Sequence, residues 1–439
     1  MKRRQFVGYL AGGGSAALLT ACGGGGTGSG GVGSTPSAQN AFIQANLVSS
    51  AISDKAIFTL PGFTDAWGIA IRPAGAGGHF WIAGGSSSWQ FLGDVQNSSD
   101  AGLRQIKVDQ LTQVTIDTGA TPATHPTGIA FNGAPLTSGN FVPTGQVMND
   151  NSTAPPTQVT MQGSARFIFV TDSGNVTAWT ERRQDTGAVM RNNGATEVVY
   201  SDATAATPLG AAFFGVAVKT DTWDTLWLAD FGSDPRIRQM DAAWNLVPTA
   251  GFANPFGTGP GGTAKPGDFV PFNIQALNGR VFVMYAKSRV SPTDISKFYP
   301  GEEDSMDADA EKASGFSPDR GRLVEYSLTG NLVRVYKDEK HLNSPWGVAL
   351  APASFGAFSG AVLVGNFGGG GYITAFDGSN GNFLGYLRKS DGSFVSIPGL
   401  WGLQFGNGAS LGDTDALYFS AGTNDEAGGL FGSLRYAPK

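Results

Sequence analysis

A short motif recurs six times in this chain and constrains the fold more than any other feature of the sequence. Each copy starts with an aromatic residue, or with threonine in one copy, followed by Gly or Asn and then by an apolar run. The copies are Trp67-Gly68-Ile69-Ala70, Thr127-Gly128-Ile129-Ala130, Phe214-Gly215-Val216-Ala217, Phe272-Asn273-Ile274, Trp346-Gly347-Val348-Ala349 and Trp401-Gly402-Leu403. A motif that recurs along a chain at intervals of tens of residues is typical of folds built from one repeated structural unit. Six motif copies predict six units.

Each motif precedes a second apolar stretch, and further stretches alternate apolar and polar residues. Phe80–Ala83 and Phe167–Val170 are of the first kind, and Tyr372–Phe376 is of the second. Alternation bounded by Gly and Asp indicates short antiparallel strands joined by turns. Four such strands make a propeller blade, and a closed ring of blades leaves no long sheet edge exposed. The sequence therefore predicts an all-β fold, a six-bladed β-propeller with four-stranded antiparallel blades.

The spacing of the motif also predicts where extra chain is inserted. Successive copies are 55 to 87 residues apart, whereas a bare four-stranded blade needs only ~40 to 45. We assign the excess chiefly to residues 134–165 and to the acidic segment 288–320, and expect any helix to lie there. The strand-like stretch Phe42–Val48 precedes the first motif. We expect it to become the outer strand of the sixth blade and to join the two termini.

The composition agrees with a turn-rich β protein and excludes one class of partner. Of 439 residues, 65 are Gly and 23 are Pro, and 15% are charged, against ~25% charged in average domains. Apolar residues make up 41% and supply ample material for a core. The formal net charge is −6, and no basic patch suits a phosphate backbone. We expect no nucleic-acid partner and a monomeric protein.

The N-terminal residues predict export and lipid attachment. Residues 1–21 begin with Lys2-Arg3-Arg4, continue through a weakly apolar stretch and end just before Cys22, which is the organisation of a signal peptide. The paired arginines followed by Phe6 suit the twin-arginine route. Leu19–Cys22 resembles a bacterial lipobox, in which Cys22 is acylated and becomes the first mature residue. Cys22 is the only cysteine of the chain, and a chance buried cysteine is the alternative interpretation.

Residues 22–40 predict a flexible tether between the lipid and the folded domain, which we place at residues 41–439. The tether consists almost entirely of Gly, Ser, Thr, Ala and Pro, a composition that behaves as a flexible linker. Each buried CH₂ of an acyl chain contributes ~0.8 kcal/mol, so several chains on one residue anchor a protein stably. We expect a cell-envelope protein held by its lipid in the outer membrane, on the periplasmic side or at the cell surface.

Several longer segments are more specific than a generic blade. They are Leu342–Gly360, Leu363–Gly368, Ala421–Glu426, Gly429–Gly432, Pro126–Ile129, Ala165–Phe169 and Pro271–Gln275. Through them the chain resembles, over about residues 41 to 432, an uncharacterised family of exported bacterial six-bladed β-propeller proteins. The resemblance implies the fold and an exported location, and it implies no established activity.

The repeats are more distantly similar to those of NHL-type propellers and of calcium-dependent lactonases. In those hydrolases Glu, Asn or Asp at the entrances of several inner strands converge on one metal ion. The corresponding positions here are Trp67, Thr127, Phe214, Phe272, Trp346 and Trp401, with Asn273 one step along. Calcium takes six to eight oxygen ligands, which one Thr and one Asn do not supply. The resemblance to lactonases therefore implies the fold without the chemistry.

The five aromatic residues of the motif predict a collar at the mouth of the central channel. Rings of Trp67, Phe214, Phe272, Trp346 and Trp401 would stack there on a sugar, a quinone or another small aromatic ligand. The alternative is that these side chains are wedges that fill the narrow end of each blade.

A second set of candidates follows the second strand of several blades. It consists of Asp172, Asp230, Asn366 and the trio Asn424-Asp425-Glu426. We take Asp230 and Asn366, together with Asn273 of the fourth motif, as candidate ligand-binding residues of the funnel. Such residues often order their own turns by bonding to the backbone, which is the structural alternative. In the trio, two carboxylates beside an amide suit a divalent cation or an acid–base pair, with a solvated acidic turn as the alternative.

Further candidates are histidines, one lysine and an acidic insertion. His125 and His341 precede inner strands, where either would serve as a base or metal ligand, and Lys287 would add a cation to the funnel. The insertion carries Glu302, Glu303, Asp304, Asp307, Asp309 and Glu311. It lacks the glycine that a calcium loop needs at its sixth position, and we expect a solvated lid or a short exposed helix.

Two functions remain open from the sequence. The first is a ligand-binding, protein-binding or scaffold module of the cell envelope, with an envelope protein or a small aromatic or sugar molecule as its partner. The second is a hydrolase or lyase that uses a metal ion or a histidine in the funnel. The sequence contains no G-x-S-x-G, Walker or H-E-x-x-H motif, any of which would have favoured an enzyme.

Overall fold

Most strands of this protein form six mainly antiparallel sheets arranged around one axis. The computed structural model describes residues 39–117, 125–191 and 194–437, with the side chains of 109–112 left out. The predicted signal peptide, Cys22 and nearly all of the predicted tether lie outside these residues. The prediction of an all-β, six-bladed β-propeller is confirmed.

Along the chain, the first half of the described residues contains two leading strands, which belong to the sheet of blade 6, and then blades 1 to 3. The leading strands are β1 (Phe42–Ser49) and β2 (Phe58–Thr59). From the axis outwards, blade 1 consists of β3 (Ala66–Ala70), β4 (Phe80–Gly84), β5 (Ser87–Leu92) and β6 (Lys107–Thr115). Blade 2 consists of β7 (Pro126–Phe131), β10 (Phe167–Thr171), β11 (Asn175–Trp179) and β12 (Glu197–Ser201), with a separate hairpin of β8 (Val147–Asp150) and β9 (Thr157–Thr160). Blade 3 consists of β13 (Phe213–Val218), β14 (Thr225–Asp230), β15 (Arg236–Asp241) and β16 (Leu246–Val247).

The second half contributes three more blades. Blade 4 consists of β17 (Phe269–Leu277), β18 (Arg280–Val290), β20 (Gly321–Tyr326) and β21 (Leu332–Val335), and β19 (Phe298–Glu303) pairs with the far end of β18. Blade 5 consists of β22 (Pro345–Leu350), β23 (Val362–Asn366), β24 (Ile373–Phe376) and β25 (Phe383–Tyr386). Blade 6 consists of β26 (Leu400–Phe405), β27 (Ala416–Ala421), β28 (Leu430–Tyr436) and, outside β28, β1, with the two-residue β2 parallel to β1 at the edge of the sheet. The six innermost strands contact one another in turn, and β26 returns to β3, so the ring is closed.

The predicted closure of the ring by the N-terminal strand is confirmed. β1 runs antiparallel to β28, with Phe42 opposite Tyr436 and Ser49 opposite Leu430. The Phe42 ring also packs against Phe355 of the neighbouring blade, with ring centroids 4.7 Å apart. The first and last described strands therefore share one sheet, which is anchored to blade 5.

The repeated motif coincides with a β-bulge at the same place in every inner strand. In blade 3, Phe213 pairs with Asp230 and Gly215 pairs with Ala229, so Phe214 has no partner in the ladder. The pairing of all six inner strands is interrupted at this point. A bulge locally bends a strand and redirects its side chains. In blades 3, 4 and 5 the bulge releases only the first residue of the motif, and in blades 1, 2 and 6 the first residue and the following glycine both lie in the gap.

Apolar clusters fill the space between neighbouring blades. Six clusters each join two adjacent blades around the ring, and a seventh lies on the axis. Between blades 1 and 2, for example, the Trp81 and Phe167 rings stack with centroids 4.1 Å apart. Every blade is thus held by apolar packing on both faces.

The two predicted insertions lie where the spacing of the motif placed them. Residues 134–165 contain the β8–β9 hairpin, and residues 288–320 contain β19 and α1 (Ala308–Ala313). In the part of the chain that the structure describes, α1 is the only α-helix, whereas five short 3-10 turns lie outside the insertions. The prediction of helix only in the insertions therefore holds for α-helix and is wrong for 3-10 turns. No helix among the described residues has the length and apolar character to cross a bilayer.

Candidate binding sites at the two ends of the central channel

The motif aromatics form one packed group on the axis, which we call the axial cluster. Its members are Trp67, Phe214, Phe272, Trp346 and Trp401, and Phe231 and Phe367 pack against them. The Trp67 and Trp401 rings stack with centroids 3.5 Å apart, and Phe367 stacks on the other side of Trp401 at 3.9 Å. All five motif aromatics are at most 3% exposed. The prediction that they offer open ring faces is wrong, because they close the channel as wedges.

Polar groups of the same motif join one blade to another across this cluster. The Trp346 indole N–H of blade 5 donates to the Phe214 carbonyl of blade 3 at 3.0 Å, past the intervening blade 4. Asn273 Nδ2 donates to the Trp346 carbonyl at 2.7 Å, and Thr127 Oγ1 donates to the Phe213 carbonyl at 2.7 Å. Asn273 is 2% exposed. It is therefore a structural link and not a funnel ligand, which corrects the prediction from its position.

The polar residues that end the second strands support the chain that enters the inner strand. Asp230 Oδ1 accepts from the backbone N–H of Ala212 at 3.0 Å and from that of Gly232 at 2.8 Å. Burial raises the pKa of the Asp230 carboxyl, although Arg238 Nε donates to it at 2.6 Å. Asn366 Oδ1 accepts from the Asn343 N–H at 2.8 Å. Asp230 and Asn366 are at most 1% exposed, so their assignment to a ligand in the funnel is wrong.

A cavity of about 380 Å³ lies at the motif end of the channel, and we call it the motif-side cavity. Phe367 forms part of its floor, and Asp307 and the trio Asn424-Asp425-Glu426 line its wall. The three trio residues have left-handed backbone conformations, with φ of 54°, 51° and 66°. Among the described residues, no group of three or more His, Cys, Asp or Glu side chains is arranged to hold a metal ion. The cation site predicted at the trio gains no support, and Asn424 and Asp425 lie in an exposed turn.

The two predicted histidines, His125 and His341, do not meet at the axis. His125 Nδ1 lies 3.5 Å from Asp172 Oδ2, in a separate surface depression beside Ser86 and Ser87. His341 Nδ1 lies 2.6 Å from the Phe316 carbonyl, and its ring stacks on Phe383. Neither histidine lines the cavity at either end of the channel.

Lys287 is also absent from the linings of both cavities. Its Nζ lies 3.7 Å from Asp304 Oδ2 in the insertion of blade 4. The structure therefore places Lys287 in an ion pair that ties the insertion to β18, and its assignment as a funnel cation is wrong.

The acidic insertion forms a short and largely exposed helix, which is one of the two predicted forms, but it is docked on blade 5 through a buried carboxyl and is not a free lid. Glu311 is 1% exposed, and its Oε2 accepts from the Gly370 N–H at 3.0 Å. Burial raises the pKa of the Glu311 carboxyl to about 7. Asn343 holds the segment by two bonds of 3.0 Å to the backbone of Met306. Asp307 caps α1 by accepting from the Ala310 N–H at 2.8 Å.

The largest concavity described lies at the opposite end of the channel, and we call it the strand-end funnel. It has a volume of about 740 Å³ and is formed where the inner strands of five blades end. Apolar side chains dominate its wall, among them Ile69, Ile129, Phe131, Val216 and Leu277. Between the funnel and the axial cluster the channel narrows to a cavity of about 10 Å³. The funnel is therefore closed at its inner end.

Two arginines line the strand-end funnel and share one carboxylate. Arg72 binds Glu181 through both terminal nitrogens, at 2.9 and 2.8 Å. Arg166 Nε lies 3.4 Å from Glu181, and Arg191 Nε donates to it at 3.1 Å. Burial opposes ionisation of Glu181, but the hydrogen bonds and charges of Arg72 and Arg191 outweigh it and lower its pKa. Burial, together with the charge of Arg72, lowers the pKa of Arg166.

Sequence reasoning missed this arginine cluster. Arg72 follows the first inner strand by two residues, and Arg166 immediately precedes β10. Glu181 lies more than 100 positions from Arg72. The only available signal was the position of Arg72 just past a motif, and nothing in the sequence paired it with Glu181.

The sequence comparisons find viral relatives but no matching family model. No family model matches the chain. An uncharacterized protein of Acanthamoeba polyphaga mimivirus is 27% identical over 390 residues, which cover 89% of this chain and 79% of that protein. A second uncharacterized protein of the same virus is 30% identical over 211 residues, which cover 48% of this chain and 49% of that protein. These relatives are viral, so membership of the predicted bacterial family stays a prediction.

Solved structures to which this chain is similar include the following two. The WD40 β-propeller domain of Doa1 gives a TM-score of 0.38 at 10% identity and covers 84% of this chain and 93% of its own. BamB from Moraxella catarrhalis gives a TM-score of 0.34 at 15% identity, with 89% and 99% covered. TM-scores and sequence identities this low do not support an inference about function. The strand pairing itself defines the chain as a six-bladed β-propeller.

Proposed function

We propose that this protein is a lipid-anchored binding module of the cell envelope whose ligand enters the strand-end funnel. The observation that supports this most is the funnel itself, a concavity of about 740 Å³ with a mainly apolar wall. Ligand sites are typically clefts of ~300 to 1,000 Å³ with apolar walls and a few placed polar groups. An envelope protein presenting an apolar segment is the second partner that this surface would accept.

The packing of the rest of the molecule supports a binding role because it holds the wall of the funnel rigid. The axial cluster and the six clusters between blades fix the inner strands whose ends form the funnel wall. A site built on packed strands is preorganised, so binding does not have to order it first. No observation on the described residues favours the alternative of a hydrolase or lyase, since His125 and His341 lie away from both cavities.

A fluorescent apolar probe tests this proposal. N-phenyl-1-naphthylamine, which is uncharged, should bind the full chain saturably. Gln404 lines the funnel and is partly exposed, so Gln404→Trp should obstruct the funnel and weaken probe binding at least tenfold. Gln158→Trp makes the same change at an exposed strand position on the β8–β9 hairpin and should leave binding unchanged. Equal binding by the parent and Gln404→Trp would exclude the funnel as the site.

A further inference from the structure

We infer that the strand-end funnel selects an anionic ligand with an apolar body, namely a free small carboxylate whose chain lies on the apolar wall and whose head group meets Arg72 and Arg166. This inference rests on the proposed function and adds the chemical class of the ligand. It follows from the charge of the funnel wall, the burial of that charge and the shape of the apolar surface.

The charge of the funnel wall is one-sided. Among the described residues that line it, the only charged side chains are Arg72 and Arg166. Their nearby counter-ion is Glu181, which also binds Arg191. Three guanidinium groups therefore share one carboxylate, and the cluster holds two positive charges more than it neutralises. A carboxylate is the small group whose geometry matches a guanidinium fork.

Because the charged side chains are buried, their surplus positive charge attracts an anionic ligand strongly. The side chains of Arg72, Glu181 and Arg166 are 7%, 3% and 14% exposed. Water screens such charges weakly, so an incoming anion interacts with them more strongly than with surface arginines. Arg72 Nε is buried and has no hydrogen-bond partner among the described residues. The cluster is thus under-neutralised both in charge and in hydrogen bonding.

The apolar wall supplies the second half of the recognition. Ile69, Ile129 and Val216 come from three successive inner strands and are at most 9% exposed. An acyl or aryl group against them would lose its contact with water, which is favourable in proportion to the apolar area buried. A hydrophilic anion such as inorganic phosphate would leave this wall uncovered. The site therefore favours a ligand that carries both features.

Three ligands that share a ten-carbon chain test the charge requirement on the unmodified protein. Decanoate, 1-decanol and decylammonium are used below their aggregation limits to displace N-phenyl-1-naphthylamine. Decanoate should displace the probe at a concentration at least tenfold lower than decanol, and decylammonium should be the weakest. The advantage of decanoate should shrink between 50 and 500 mM salt, because salt screens the charge contribution.

A pair of arginine variants tests the assignment to the cluster. Arg166→Gln removes one cation from the funnel wall, and it should reduce the advantage of decanoate over decanol to less than threefold. Arg334→Gln is the matched control, because Arg334, like Arg166, is partly buried and donates to two backbone carbonyls. It lies outside the funnel and should keep the full advantage. The ligand series on the unmodified protein decides the question if Arg166→Gln does not fold.

The outcomes separate this inference from the proposed function. Equal displacement by all three ligands, with probe binding still lost in Gln404→Trp, would overturn the anionic ligand and keep the binding site. Probe binding that survives in Gln404→Trp would overturn both. Phosphatidylglycerol vesicles that displace the probe from the parent under conditions where neither phosphatidylcholine vesicles nor decanoate displace it would assign the site to a membrane lipid and overturn the free carboxylate.

Discussion

Neighbouring residues of the repeated motif have opposite structural roles. The aromatic residue leaves the ladder at a bulge and fills the axis, while the following glycine lets the next blade approach. At Gly215, a β-carbon would overlap the Asn273 side chain and lie 2.8 Å from the Asn273 Cα. In blade 4 the glycine is replaced by Asn273, whose amide bonds the next blade instead. Five of the six motifs therefore supply a wedge, and all six supply a close contact between blades.

Removing a wedge tests whether the axial cluster is packing. Trp346→Ala and Trp401→Ala should each lower the free energy of unfolding by ~3 to 5 kcal/mol, because each deletes a buried ring and leaves a cavity. Leu332→Ala, at a position that is 53% exposed, should change it by less than ~0.5 kcal/mol. Denaturant unfolding measures all three. A stable Trp401→Ala variant that has lost a sugar or aromatic ligand would instead restore the stacking site.

Glu311 should make stability depend on pH. Its folded pKa of about 7 lies above the ordinary value of 4.5 because burial disfavours the charged form. The unfolded chain therefore releases this proton at lower pH, and the free energy of unfolding should fall as pH rises from about 4.5 to about 7. The fall attributable to Glu311 is on the order of 3 kcal/mol. Burial raises the pKa of the nearby Tyr372 and Tyr386, so neither ionises in this window.

Substituting the carboxyl isolates this effect. Glu311→Gln keeps an acceptor for the Gly370 N–H and should remove this fall in stability with pH. Asp309→Asn, on the exposed side of the same helix, should retain the profile of the parent. Urea unfolding at pH 5, 6, 7 and 8 gives the comparison. Parallel profiles for the parent and Glu311→Gln would contradict the assignment.

At the scale of elements, the inner strands of adjacent blades pack closely because the motif glycines place no side chain between the two backbones. A β-carbon on Gly347 of β22 would overlap the Trp401 carbonyl of β26 and lie 3.0 Å from the Leu403 nitrogen. Both obstacles are backbone atoms of the next blade, which cannot rotate away as a side chain can. The spacing of adjacent blades is therefore set at the motif.

A pair of Gly→Ala variants tests this spacing. Gly347→Ala should lower the free energy of unfolding by ~1 to 3 kcal/mol through overpacking. Gly139→Ala, where no atom lies within 4 Å of the added carbon and φ is ordinary, should be neutral or stabilise by up to ~1 kcal/mol. Thermal unfolding of both against the parent measures the difference. Equal stability of the two variants would show that the blades can separate at no cost.

At the scale of the whole molecule, the ring depends on a strand from the opposite end of the chain. Deleting residues 41–49 removes the outer strand of blade 6 and exposes the edge of β28, which is an aggregation-prone arrangement. We expect light scattering to rise and the cooperative unfolding transition to be lost. Deleting residues 24–32, an equally long piece of the predicted tether, should leave the transition unchanged. An unaltered midpoint after the first deletion would mean that closure does not require β1.

We expect the predicted anchor to act on the whole molecule without contributing to its fold. If Cys22 is acylated as predicted, Cys22→Ser should release the protein from the membrane fraction while its thermal midpoint stays the same. Cell fractionation followed by unfolding of the recovered protein checks both points. Recovery of Cys22→Ser with membranes at the level of the parent would exclude the lipoprotein.

The sequence by itself determined the repeat number, the blade architecture, the sites of insertion and the closing strand. These properties depend on local patterns, namely alternation along strands, turn residues and a motif that recurs at the bulge of every inner strand. The role of the motif aromatics was left open between wedge and collar, because the exposure of their side chains depends on whether the five rings meet at one axis. Lys287, Asn273 and Asp230 were placed in a funnel for the same reason, since position along a strand does not reveal the partner of a side chain.

Only the tertiary structure decided which end of the channel is open and what charge it carries. The axial cluster closes the motif end because rings from several blades, far apart in sequence, stack on one another. The arginines of the strand-end funnel meet Glu181 through a contact that spans 109 positions between Arg72 and Glu181. A local pattern encodes the geometry of one blade, whereas the chemistry of the channel arises from side chains that only the closed ring brings together.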